Sequence, residues 1–195
     1  MTRRARLVIA VALMAPGFSA LAADVPGQTP SHSSAWAVKL DRPGLPNCFR
    51  LTTNFYRGAQ PSAQGMAELK TLGVRSVVNL RTFHSDKDKL ASTGLKQERI
   101  KMEPWQANDD DVVRFLKIVA DTNNLPVFVH CERGADRTGT MCAMYRIIFC
   151  GWTKEAAIKE MKAGGFGFNP AWQNLVNYLE QADIDKLKRK MADGR

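Results

Sequence analysis

One stretch of the 195-residue chain concentrates side chains able to do chemistry: His130-Cys131-Glu132-Arg133-Gly134-Ala135-Asp136-Arg137-Thr138-Gly139. Ionised cysteine is a strong nucleophile. Arginine six positions later offers a planar fork that fits two oxygens of an oxyanion. The residues before the stretch, Pro126 to Val129, form a short apolar run of the kind found in strands buried on both faces. Those after it, Thr138 to Cys150, read as a largely apolar helix ending at Gly151. Strand, tight loop and helix start together make an anion cradle, because loop N–H groups converge where the helix dipole is positive. A cysteine at the strand end feels that field, which favours its thiolate. The chemistry implied is in-line attack of Cys131 on phosphorus, with Arg137 holding the oxygens from the other side. The backbone of Glu132, Arg133, Gly134, Ala135 and Asp136 would bind the same anion, and Gly134 would let the loop close around it. Thr138 can donate its hydroxyl to the sulfur, and His130 is expected to orient the loop.

Alternating elements must position this loop. Pro61-Ser62 opens a helix through Leu72, with Gly73 as its stop. Val74 to Leu80 is a β-branched strand, and Arg99 to Met102 a second short one. Asn108 precedes a helix whose Val112, Phe115, Leu116 and Val119 share a face. Thr153 caps another helix, which stops at Gly164-Gly165. Asn169-Pro170 begins the last one, carrying Trp172, Leu175, Tyr178, Leu179 and Ala182. Strands alternating with helices predict an α/β sandwich around a small sheet.

The pattern His-Cys-x5-Arg-Thr resembles the signature of the cysteine-based protein tyrosine phosphatase superfamily. Tyr56-Arg57-Gly58-Ala59-Gln60-Pro61 and Val77-Val78-Asn79-Leu80-Arg81 are similar to segments of its compact dual-specificity-like branch. The run from Ala143 through Trp152 to Gly167 is similar to the exported bacterial members, and the resemblance covers about residues 47–185. It implies a three-layer sandwich with a small central sheet flanked by helices. It also implies phosphomonoester hydrolysis through a phosphocysteine, without metal or other cofactor. The expected partner is a phosphorylated protein carrying phosphotyrosine, with phosphoserine or phosphothreonine admitted, and the working form is expected to be a monomer.

The resemblance also implies an acid on the loop upstream of the cysteine. The segment Met102 to Asp111 offers Asp109 first, with Asp110 and Glu103 behind it. Acids in a first helical turn equally serve the helix dipole, so Asp109 has two readings. Glu132 and Asp136 in the loop repel additional phosphates, which favours a phosphoprotein over an inositol polyphosphate. Trp105 and Phe166 are candidates for the rim or for the core, and Arg57 for site support or a surface ion pair. Two alternatives stay open: an inositol-phosphate or phytate phosphatase using the same cradle, and a phosphate-binding pseudophosphatase.

The remaining composition sets the context. Residues 1–22 carry Arg3, Arg4 and Arg6, an apolar stretch from Leu7 to Ala15, and Ala20-Leu21-Ala22, the pattern of a secretory signal peptide. Thr2-Arg3-Arg4 resembles a twin-arginine signal, so the export route is open. A periplasmic or secreted location follows. Of 28 basic and 19 acidic side chains, removal of that segment takes three arginines and no acid, which leaves a mildly basic remainder. No run of about 18 apolar residues predicts a membrane span, and no nucleic-acid motif accompanies the charge. Residues 23–46 are expected to be a flexible leader and 47–190 the folded domain. The four cysteines (Cys48, Cys131, Cys142, Cys150) lack zinc or disulfide spacing. They are expected as buried thiols, one of them reactive.

Overall fold

The computed structural model describes residues 35–193. The expected signal peptide and leader residues 23–34 lie outside the described residues. The strands are β1 (Val38–Lys39), β2 (Phe49–Thr52), β3 (Phe55–Gly58), β4 (Ser76–Arg81), β5 (Lys96–Met102) and β6 (Val127–His130). The helices are α1 (Ala63–Thr71), α2 (Lys87–Leu90), α3 (Asp109–Ala120), α4 (Asp136–Phe149), α5 (Lys154–Ala163), α6 (Gln173–Gln181) and α7 (Ile184–Ala192). The sheet order is β1-β2-β3-β6-β4-β5. The pairs β1–β2 and β2–β3 are antiparallel, whereas β6 lies parallel between β3 and β4, and β5 parallel beside β4.

Strand alternation sorts side chains into two cores. Val78, Leu80, Val127 and Val129 pack with α3, α4, α5, α6 and α7 on one face. Val77 and Phe128 pack with Met66 and Leu69 of α1 and Leu90 of α2 on the other. The result is the expected three-layer α/β sandwich. Both faces of the central strand are covered, which explains its continuous apolar sequence. Caps fall where the sequence placed them: Ser62 accepts from the Gly65 amide at 3.1 Å, Asn108 from Asp111 at 2.9 Å, and Thr153 from Ala156 at 3.2 Å.

Three expectations change. The leader does not extend to residue 46 as a flexible segment. The Ala37 amide donates to Glu160 at 2.7 Å, Val38 and Lys39 pair with β2, and Leu45 is buried. Its few apolar residues are fixed by distant partners that composition does not reveal. The last helix is two helices, because the Asp183 side chain accepts from the Lys186 amide at 2.9 Å and opens α7. Nor does α6 start at Asn169: Asn169 forms a turn to Trp172, and the helix begins at Gln173.

Candidate active site

Parallel pairing brings the C-terminal ends of β3, β6, β4 and β5 to one edge of the sheet, where open α/β sheets form their ligand crevices. Residues 131–135 leave β6 there and turn into α4. A cleft of about 200 Å³ opens at this point, lined by Cys131, Glu132, Arg133, Asp136 and Arg137 together with Pro104, Asn169 and Trp172. The N-cap residue of α4 is Ala135, which supplies no side-chain cap. The amides of Glu132, Arg133 and Gly134 donate to no protein acceptor among the described residues. An uncapped helix start facing a cleft, with free loop amides, is a site for an anion.

Arg137 is anchored by one nitrogen, Nη1, to the Met102 carbonyl at 3.3 Å and the Leu80 carbonyl at 3.4 Å, the ends of β5 and β4. Its remaining donors have no protein partner among the described residues and stand beside Cys131 in the cleft. Thr138 is wholly buried, and its hydroxyl has no hydrogen-bond partner among the described residues. Buried hydroxyls seldom stay unpaired, and this one lies one helical position beyond Arg137.

Gly134 and Ala135 turn inward rather than toward the cleft. Gly134 has φ 71°, and a Cβ there would collide with the backbone of Gly58 and Ala59. Beneath them, Arg57 is 1% exposed, and its Nη2 donates to the Gly134 carbonyl at 2.5 Å and the Ala135 carbonyl at 3.4 Å. Its face lies 3.7 Å from the Phe166 ring centroid. Burial pushes the Arg57 guanidinium below its usual value, with Cys142, Glu160 and Cys131 opposing. Arg57 is therefore a support for the loop and not half of a surface ion pair. Phe166 belongs to this support and to the core against Phe49, not to the rim; Trp105 is half exposed but does not line the cleft. Trp172, expected on the last helix, lines the cleft and also packs against the core.

His130 bonds the start of the loop, and its second partner is one the sequence did not signal. Its Nδ1 lies 2.9 Å from the Cys131 carbonyl and its Nε2 2.8 Å from Asp86 Oδ2. Asp86 also accepts from Asn79 at 2.7 Å and Gln60 at 2.6 Å. Burial alone would raise its carboxyl; hydrogen bonds from His130, Gln60 and Asn79 outweigh it and hold the group below the usual carboxylate range. Gln60 in turn accepts from Arg81 at 3.1 Å, and Arg81 pairs with Glu132 at 3.6 Å. Asp136 is occupied differently: its Oδ1 accepts from the Asn169 amide at 2.9 Å and fastens the loop before α6.

The structure does not bring Asp109 to the cleft. Its Oδ2 lies 2.8 Å from Lys186, and its Oδ1 accepts from the Tyr178 hydroxyl at 3.2 Å. The Lys186 ammonium holds its carboxyl below the usual range, the opposite of what an acid catalyst needs. Asp110 is exposed and paired with Lys190 at 3.0 Å. Both serve the start of α3 and its packing on α7. Glu103 stays near, directly before cleft-lining Pro104. All four cysteines are thiols; Cys48, Cys131 and Cys142 are buried. Among the described residues, no group of three or more His, Cys, Asp and Glu is placed to hold a metal ion, and no helix is long and apolar enough to cross a membrane.

The family model described as DSP-PTPase phosphatase fused to NAD+ kinase matches residues 49–174. The dual specificity protein phosphatase TpbA of Pseudomonas aeruginosa PAO1 is 38% identical over 168 residues, 84% of this chain and 74% of TpbA. The inositol diphosphatase DSP5 of Arabidopsis thaliana is 26% identical over 155 residues, 74% of this chain and 73% of that protein. A crystal structure of a cysteine-to-serine variant of P. aeruginosa TpbA in complex with phosphotyrosine superposes with a TM-score of 0.72 at 32% identity, covering 86% of this chain and 100% of that one.

Proposed function

The chain belongs to the dual-specificity-type (DSP-PTPase) phosphatases of the cysteine-based protein tyrosine phosphatase superfamily, and from that premise we propose that it is an exported, metal-independent phosphatase of phosphotyrosyl proteins that also accepts phosphoserine and phosphothreonine. The observation that carries the reading is the meeting of Cys131 and Arg137 in one cleft at the uncapped start of α4. The Cys131 thiolate attacks phosphorus in line and forms an S–P bond as the P–O bond to the leaving group breaks. Arg137 and the loop amides hold the equatorial oxygens. A carboxylic acid protonates the leaving oxygen. The same group then takes a proton from water, whose oxygen attacks phosphorus and returns the thiolate. Thr138, with its orphan hydroxyl, stabilises that thiolate as it leaves. With Asp109 and Asp110 engaged by α7, Glu103 is the proposed acid.

The inositol-phosphate reading has a specific observation behind it, namely the plant inositol diphosphatases among the relatives. Glu132 weighs against it: its carboxylate lines the cleft, is 64% exposed, and repels further phosphates on a polyanion. Phosphate release from phosphotyrosyl peptides and from inositol polyphosphates separates the two. The peptide is expected to be preferred, and Glu132→Lys to move the ratio of the two kcat/KM values toward the polyphosphate by about tenfold or more. A wild-type enzyme that prefers the inositol polyphosphate overturns the protein-substrate reading. Support for export comes from residues 1–22. N-terminal sequencing of the protein recovered from a periplasmic fraction is expected to begin just after Ala22, and an intact Met1 would contradict it.

A further inference from the structure

The pair formed by Asp86 and His130 has a proton inventory that its geometry dictates. His130 is wholly buried, with Phe128 stacked at 6.0 Å between ring centroids. Both ring nitrogens face oxygen acceptors, Nδ1 the Cys131 carbonyl at 2.9 Å and Nε2 the Asp86 carboxylate at 2.8 Å. A neutral imidazole has one N–H and one lone pair. Either neutral tautomer would therefore set a lone pair against an oxygen in a site without water-exposed surface. Asp86 already receives Asn79 and Gln60, donors that favour its ionised form, so the shared proton belongs on Nε2.

We propose that Asp86 is a positioning residue for the nucleophile: its carboxylate holds His130 as the doubly protonated ring, which grips the Cys131 carbonyl and keeps a buried positive charge at the foot of the loop. The inference rests on the reading of Cys131 as nucleophile. Asp86 is suited to the task because it joins three segments at once: β6 through His130, β4 through Asn79, and the β3–α1 connection through Gln60. The other charged groups nearby are engaged elsewhere. Arg81 of β4 reaches Gln60 and Glu132, Lys89 of α2 donates to the Pro61 carbonyl at 3.2 Å, and Arg57 of β3 holds Gly134. Lys87 and Asp88 of α2 and His84 before it are exposed. None of these side chains bonds to His130 or Asp86 among the described residues.

Histidine-selective 15N spectra of the protein test this directly. The chain has three histidines, and His130→Asn identifies the signal of interest. His130 is expected to carry protons on both ring nitrogens in the folded enzyme; a single-proton tautomer overturns the proposal. Asp86→Asn removes the counter-charge from a wholly buried cation, so the ring is expected to revert to one N–H. With that charge gone, the pH of half-maximal Cys131 alkylation by iodoacetamide should rise. Turnover of p-nitrophenyl phosphate should fall between about tenfold and a hundredfold at nearly constant KM. Burial pushes the Cys48 and Cys142 thiols up to about 11 and raises the half-buried Cys150 as well, and peptide mapping of the labelled protein assigns the alkylation read at Cys131. A folded Asp86→Asn variant with unchanged kcat and alkylation profile overturns the positioning role. If that variant does not fold, the wild-type spectrum still decides. Full turnover by Cys131→Ser would instead overturn the phosphatase mechanism itself, whatever the His130 spectrum shows.

Discussion

Cys131 and Arg137 lie six residues apart and face one cleft because the intervening loop closes over Arg57. That loop was legible in the sequence, since nucleophile, arginine, glycine and helix start all fall within ten consecutive positions. The carboxylate that protonates the leaving group was not. Asp109 follows a good N-cap, and its pattern suits a helix start as well as an acid catalyst; contact with Lys186, 77 positions away, decides between them. Single substitutions separate the acids experimentally. Glu103→Gln is expected to lower kcat toward phosphotyrosyl peptides by about a hundredfold or more and to flatten the alkaline limb of the pH profile. Asp109→Asn is expected to leave kcat within about twofold. Its carboxyl is depressed in the folded protein, so its stabilising contribution is present above the unfolded value of about 3.9 and disappears as pH falls through the lower folded value. Steady-state kinetics of the two variants across pH check this, and the reverse ranking restores Asp109.

At the scale of elements, the parallel run β3-β6-β4-β5 gathers four strand ends, and two buried ionic groups fasten the loop to them. Arg57 holds it from below, and Asp86 through His130 holds its origin. Neither role follows from local spacing: Arg57 is 77 positions from Gly134, and Asp86 is 44 from His130. A polar residue in a loop after a strand carries no mark of the partner it will meet. The strand and helix periods were readable, and so were the caps at Ser62, Asn108 and Thr153, because each depends on neighbours within four residues. The β1–β2–β3 meander and the break at Asp183 were not, since short strands and a two-residue helix junction leave little periodicity. The loop's fit against β3 is testable. Gly134→Ala places a methyl group into the Gly58–Ala59 backbone at φ 71°. Its backbone conformation alone is expected to cost of order 1–3 kcal/mol, and turnover should fall with it. Thermal denaturation and p-nitrophenyl phosphate kinetics measure both, and a variant equal to wild type would show that the loop has room the structure denies it.

At the scale of the molecule, α4 starts at the catalytic loop and carries, near its other end, the Arg146 that bonds the Ala35 carbonyl at the chain entry. Toward the end of α4, Arg146 makes a bidentate pair with Glu160 of α5 at 2.9 and 2.8 Å, and Glu160 also receives the Ala37 amide. This buried pair holds the strand that follows the expected leader, which is why residues 35–46 join the fold. Glu160→Ala leaves Arg146 without its counter-charge and is expected to destabilise the protein by about 3–5 kcal/mol. The KM of the folded enzyme should stay unchanged. Denaturant unfolding with parallel kinetics checks that split, and a loss of activity without loss of stability would tie the pair to the site. The proposed reaction is covalent: phosphate passes through the sulfur of Cys131. The direct measurement is rapid quench with a 32P-labelled phosphotyrosyl peptide in EDTA, followed by mapping of the labelled residue. Label on Cys131, lost in Cys131→Ser together with at least about a thousandfold of kcat, is the predicted result. Turnover without a labelled cysteine, or turnover that EDTA abolishes, would contradict it.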